Sequence, residues 1–122
     1  MTENDLTAAV LELLDLFGWR AVHARPARTA HGWRTPLQGP TAAGFPDIFA
    51  VKGNRILAAE LKVGRNRVTP EQAGWLKVLA LAGAEAYEWR DTDWTDGTIE
   101  AVIRRPTAGG ELAAAAETEA TG

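Results

Sequence analysis

The stretch Asp47-Ile48-Phe49-Ala50-Val51-Lys52-Gly53-Asn54-Arg55-Ile56-Leu57-Ala58-Ala59-Glu60-Leu61-Lys62 decides how this chain folds. Two short apolar runs, 47–51 and 56–61, flank the turn-forming pair Gly53-Asn54, and together they read as a β-hairpin. Side chains alternate across a strand, so Glu60 and Lys62 project from one face and Leu61 from the other. Pairing across the turn brings Asp47, at the start of the first strand, near the end of the strand that carries Glu60. A run as apolar as Ile56 to Leu61 is expected to be mostly buried, where a charge needs a reason.

Downstream, Thr69-Pro70-Glu71-Gln72 is a helix start: Thr as N-cap, Pro at the first position and Gln closing a capping box. Leu76, Leu79 and Ala80 continue that helix with Ala73 on the same side, and Gly83 stops it. Ala84 to Trp89 alternates as another strand. A strand, a helix and a further strand form a βαβ crossover, which predicts parallel pairing of the outer two and hence a mixed sheet. Asp93 is placed to cap a last short helix running to Arg104, weakened by Gly97. Its Trp94, Ile99, Val102 and Ile103 offer either a contact surface or packing on the chain's own core.

Upstream, Leu6, Val10, Leu13, Leu14 and Phe17 have the spacing of an apolar helical stripe, with Gly18 as its left-handed stop. Glu12 points away from that stripe, whereas Glu3 lies on its flank in line with Thr7, Val10 and Leu14. Glu3 therefore can face the interior, though an acid in a first helical turn also has a purely local benefit. Trp19 to Arg25 reads as a first strand. Residues 26–44 have no periodicity and read as a long loop, either a linker or a flap. As a flap it would bring Arg25, Arg28 and Arg34 to phosphates and Trp33 to a base. The expected organisation is one domain over 1–105 and a flexible acidic tail over 106–122.

At 122 residues with 46% apolar and 24% charged residues, the composition is that of a single ordinary globular domain. The absence of cysteine excludes disulfides, zinc-thiolate sites and thiol nucleophiles. No apolar run approaches the roughly 18 residues of a membrane span, and no basic-then-apolar signal pattern opens the chain, so a cytoplasmic location is expected. The net charge of −3 hides a strong asymmetry. Residues 19–68 hold nine Lys or Arg against two acids, Asp47 and Glu60, while both flanks are acidic. A basic middle of this kind is either a solvated surface or a nucleic-acid footprint with Arg25, Arg28, Arg34, Arg65 and Arg67 as phosphate contacts.

Two converging carboxylates make an oxygen-ligand site suited to Mg²⁺ or Mn²⁺. Such an ion polarises a phosphodiester and lowers the pKa of a bound water, and Lys62 is placed to orient that water or offset developing charge. Gly44-Phe45-Pro46-Asp47-Ile48, Ala59-Glu60-Leu61-Lys62 and Val68-Thr69-Pro70-Glu71-Gln72, followed by Trp75-Leu76 and Ala82-Gly83-Ala84, resemble the VRR-NUC family. That family belongs to the PD-(D/E)xK nuclease superfamily, which includes archaeal-type Holliday-junction resolvases. The similarity runs from about Glu3 to Trp89.

The resemblance implies an α/β, single-domain restriction-endonuclease-like fold with a mixed central β-sheet flanked by helices. It further implies Asp47 and Glu60 as metal ligands, Lys62 as the catalytic lysine, Gln72 as a supporting residue and Glu3 as the first-helix acid. Many relatives carry glutamine where Thr7 stands here. The expected activity is Mg²⁺- or Mn²⁺-dependent endonucleolytic cleavage of branched or Holliday-junction DNA, with no organic cofactor. Small stand-alone members are often phage-encoded and dimeric, so a homodimer fits this length. Three rivals are a restriction- or repair-type nuclease on duplex DNA, a non-cleaving binding module on the same fold, and an interaction protein with a surface Glu60–Lys62 pair. The last of these requires that Asp47 and Glu60 do not converge.

Overall fold

The computed structural model describes residues 1–24, 27–29, 32–34 and 37–107, with side chains outside 25–36. The elements in chain order are α1 (Glu3–Leu16), β1 (Arg20–His23), β2 (Ala27–Thr29), β3 (Gly32–Arg34), β4 (Ile48–Lys52), β5 (Arg55–Lys62), α2 (Pro70–Leu81), β6 (Glu85–Arg90), α3 (Asp91–Thr95) and α4 (Thr98–Arg104). Four strands form an open mixed sheet in the order β1-β4-β5-β6, antiparallel through β5 and parallel between β5 and β6. The chain is thus an α/β structure, with the hairpin and crossover expected from the sequence.

The two-residue turn sets the register. Lys52 pairs with Arg55 and Ile48 with Ala59, so the next position of the ladder sets Asp47 opposite Glu60. Directly opposed residues in an antiparallel pair share a sheet face. On the other face, Ile48, Ala50, Leu57, Ala59, Leu61 and Trp89 meet Leu6, Val10 and Leu14 of α1, Ile99 and Ile103 of α4, and Trp19 in one buried cluster. α2 contacts β5 and β6 on the Glu60 face and covers only that half of the sheet. Over β1 and β4 that face leaves Val22 and Val51 exposed.

Both long helices start on capping boxes. Thr2 and Asp5 close the first, and Thr69 and Gln72 the second, each N-cap hydroxyl accepting the N3 amide while the N3 side chain accepts the N-cap amide. Lys52 Nζ donates to Phe17 O at 2.6 Å, placing a cation at the carbonyl end of α1.

Three expectations are corrected. Within 26–44 the backbone forms a short antiparallel ladder, β2 with β3, rather than an irregular loop throughout. The C-terminal helix is two helices, because Gly97 takes a left-handed φ of 86° between them. Asp93 is not an N-cap; it sits at the third position of α3 and its Oδ2 accepts the Arg90 amide at 2.8 Å. Of the two alternatives for the last helix, packing is what the fold shows: Ile99 and Ile103 are fully buried and Trp94 and Val102, partly buried, pack against the core. The expected tail beyond residue 107 lies outside the described residues.

Arg55, directly after the Gly53-Asn54 turn, is the feature that its place in the sequence suggests least. It is buried, makes a bidentate pair with Glu85 at 2.6 Å, and donates through Nη1 to the carbonyls of Val102 and Arg105. Its guanidinium lies 4.7 Å above the Trp19 ring, and Trp19 Nε1 donates to Ile103 O. The Arg55 hydrogen bonds hold the Glu85 carboxyl below its usual range. Burial and then Glu85 push the Tyr87 phenol up. This cluster fastens the end of α4 to the sheet. Two of the nine cations in the basic middle, Lys52 and Arg55, are therefore structural.

Candidate metal centre

Asp47 stands just before β4, where the chain is tied down on both sides. Its carbonyl accepts the Ala24 amide at 2.9 Å, and its Oδ2 accepts the Leu61 amide at 2.9 Å. The second bond crosses to β5 and aims the carboxyl at the position opposite Glu60. Glu60 is only 1% exposed, enclosed by the sheet and by the start of α2. This burial rules out a surface Glu60–Lys62 pair.

Gln72 serves two purposes. Its Oε1 accepts the Thr69 amide at 2.9 Å to close the capping box, and its Nε2 donates to Glu60 Oε1 at 2.9 Å. Glu60 Oε2 is buried with no hydrogen-bond partner. An orphaned buried carboxylate oxygen is costly. It can be satisfied in two ways: by a proton, which turns it into a donor toward Asp47, or by a cation shared with Asp47.

The electrostatics agree with that choice. Burial pushes the Glu60 carboxyl up to about 8, reinforced by the adjoining Asp47 carboxyl and by the charge of Glu3, while Lys62 opposes the rise. Desolvation and a neighbouring like charge both favour the neutral form. A divalent ion held by the two carboxyls would reverse both effects, because it would carry the opposite charge into the same space. The oxygen-only donors and their small number fit Mg²⁺ or Mn²⁺ keeping several waters.

The structure brings Asp47, Glu60, Gln72 and Lys62 to one place, with Lys62 half-buried on the same strand face as Glu60. Glu3 is a flanking charge: its Oε2 accepts from Asn66 Nδ2 at 3.5 Å. Among the described residues no group of three or more His, Cys, Asp or Glu is gathered closely enough to hold an ion, so the candidate site rests on the Asp47 and Glu60 carboxyls alone. Thr7 directs its hydroxyl to Glu3 O at 2.9 Å and does not join it. Arg65 and Arg67 are exposed on the segment joining Lys62 to Thr69. Arg25, and the side chains of Arg28, Trp33 and Arg34, lie outside the described residues.

Sequence reasoning missed the contacts that hold the Asp47 segment. Gly44 has φ of 85°, and a Cβ there would lie 2.5 Å from the Glu71 carbonyl carbon. Phe45 meets Trp75 edge-on at 5.1 Å, and Trp75 Nε1 donates to Thr41 O and Ala43 O. The Gly44-Phe45 pair and the Trp three residues after Gln72 were the available signals. An open groove of about 530 Å³ lies beyond Trp75, lined by Pro40, Thr41, Gly74 and Val78 among others, not over the carboxylates.

Scanned against protein-family models and searched against curated proteins, the chain matches none. Among the described residues no helix is long and apolar enough to cross a membrane.

Proposed function

We propose that this chain is a metal-dependent DNA endonuclease with a restriction-endonuclease-like fold, related to the VRR-NUC branch of the PD-(D/E)xK nucleases, and that it cleaves branched or junction DNA. The observation that carries the reading is the orphaned Oε2 of Glu60, buried opposite Asp47. A fold without need of an ion has little reason to keep two carboxyls together at such cost. Asp47 and Glu60 would hold Mg²⁺ or Mn²⁺, which when bound supplies Lewis acidity toward the phosphate and a more acidic water.

The chain's own residues do the rest. Gln72 holds the Glu60 carboxyl in place, and the Leu61 amide holds that of Asp47. Lys62, on the Glu60 face, offsets charge that develops on the phosphate. Arg65 and Arg67, together with Arg25, Arg28 and Arg34, are proposed to contact the DNA backbone, which positions a substrate without reading its sequence. Backbone contacts of this kind favour recognition of DNA shape. A second copy would pair two such sites across a symmetric junction, and sedimentation of the free protein tests that stoichiometry.

The deciding experiment incubates the protein with synthetic four-way junction, flap, duplex and single-stranded DNA, in Mg²⁺, Mn²⁺ or EDTA. The expected result is metal-dependent cleavage, strongest on the junction and lost in Lys62→Ala. Cleavage of none of these, or undiminished cleavage by Lys62→Ala, refutes the proposal. Preference for plain duplex would move the reading to a restriction- or repair-type nuclease.

A further inference from the structure

The N-terminal half of α2 touches both segments that carry the carboxyls. Gln72 reaches Glu60 directly. One turn later Trp75 reaches the segment leading to Asp47, through one indole N–H shared between Thr41 O at 3.0 Å and Ala43 O at 3.1 Å. Along that segment Gly44 lies against the first turn of α2 so closely that a methyl group would collide with backbone. Phe45 then packs on the Trp75 ring, Pro46 is buried, and Asp47 follows. Phe45 also lies 6.1 Å from Phe49, which continues the packing into β4.

We propose that Trp75 is a positioning residue that clasps the 41–46 segment to α2 and thereby fixes the Asp47 carboxyl relative to Glu60. The strand register sets these residues opposite one another, but register constrains backbone, not the approach of a segment that lies before the strand begins. One rigid helix gripping both sides removes that freedom. The contribution to metal binding rests on the proposed function; the geometric contribution does not. Residues that orient ligands from behind commonly affect metal affinity by roughly 10- to 100-fold.

The test compares Trp75→Phe, which keeps an aromatic ring against Phe45 but removes both hydrogen bonds, with Trp75→Ala. Val102→Ala, on α4 and remote from the clasp, serves as a stability control. Two quantities are measured: exchange of the Leu61 amide, whose bond to Asp47 Oδ2 reports that carboxyl without any metal, and Mn²⁺ affinity by electron paramagnetic resonance. Trp75→Phe is expected to speed Leu61 exchange and weaken Mn²⁺ binding, each by about tenfold, with Trp75→Ala worse. Val102→Ala should lower Tm, leave Mn²⁺ affinity at the wild-type level and speed Leu61 exchange no more than its loss of global stability accounts for. Wild-type Leu61 exchange in Trp75→Phe, or an equal change in Val102→Ala beyond that allowance, overturns the proposal. Should the wild type bind no Mn²⁺, the metal reading fails, and Leu61 exchange alone decides whether Trp75 positions Asp47.

Discussion

Gln72 donates to Glu60 across 2.9 Å while the same amide closes the capping box of its own helix. One side chain thus joins the start of α2 to the buried carboxyl of β5, so the helix cannot shift without disturbing the site. Removing the cap alone and removing the amide should therefore differ. Thr69→Ala is expected to cost about 1 kcal/mol. Gln72→Ala should cost roughly 1 kcal/mol more, because it also strips Glu60 of its donor. Urea unfolding of both variants measures the difference, and equal losses would show that the Glu60 bond contributes nothing.

Stability should depend on pH through Glu60. The carboxyl rises from 4.5 to about 8 on folding, so the folded state holds the proton more tightly than the unfolded chain. That contribution is complete below pH 4.5 and is lost as pH climbs through about 8. In metal-free buffer the urea midpoint of wild type should fall over this range relative to Glu60→Gln, which has no proton to lose. On the proposed metal reading Mn²⁺ would take the proton's place, so it should raise wild-type Tm more at alkaline than at mildly acidic pH. A parallel pH profile in Glu60→Gln would contradict this account.

Arg55 provides a contrast, because it is buried and charged yet remote in role from the carboxyl pair. Arg55→Met removes the bidentate partner of Glu85 and the guanidinium donor to the carbonyls of Val102 and Arg105. The expected loss is about 3 kcal/mol. Adding Glu85→Leu should recover part of it, since the part-buried carboxylate is then removed and only the exposed Arg105 loses its partner. Chemical denaturation of the single and double variants tests both statements, and Mn²⁺ affinity should stay unchanged in each.

Gly44→Ala should be disproportionately harmful for one methyl group. It adds left-handed strain at φ of 85° and a clash with the Glu71 and Gln72 backbone. A loss of about 2 kcal/mol is expected. Gly64→Ala, also at positive φ but with open space around it, should cost less. A thermal melt of the pair separates the clash from the strain.

The features legible beforehand were those governed by local rules. Gly53-Asn54 set a two-residue turn, and the turn set the register that opposes Asp47 and Glu60. Thr69-Pro70 and Gln72 marked the helix start. What escaped were contacts between distant segments. An arginine beside a turn ordinarily faces water, and only the arrival of Glu85 and of α4 some thirty and fifty residues later buries Arg55. The Trp75 clasp was hidden for a related reason: α2 is apolar around much of its circumference, and of the side read from Ala73, Leu76, Leu79 and Ala80 the two alanines are exposed, while Gln72, Trp75, Leu76 and Leu79 are half-buried. Gly97 was visible as a weak point, but its left-handed geometry, not its helix propensity, divides α3 from α4.

The tight turn at Gly53-Asn54 has a consequence for the order in which the molecule assembles. Closing a two-residue loop costs little chain entropy, whereas seating α2 and pairing β6 with β5 must wait for a longer crossover. Asp47 and Glu60 are therefore opposed early, while still surrounded by water, and the enclosure of Glu60 comes later. Pulse-labelled hydrogen exchange should protect the β4–β5 amides before those of β6. On this order the carboxyl pair is an early product of folding and the burial of Glu60 a late one, and simultaneous protection of β6 would contradict it.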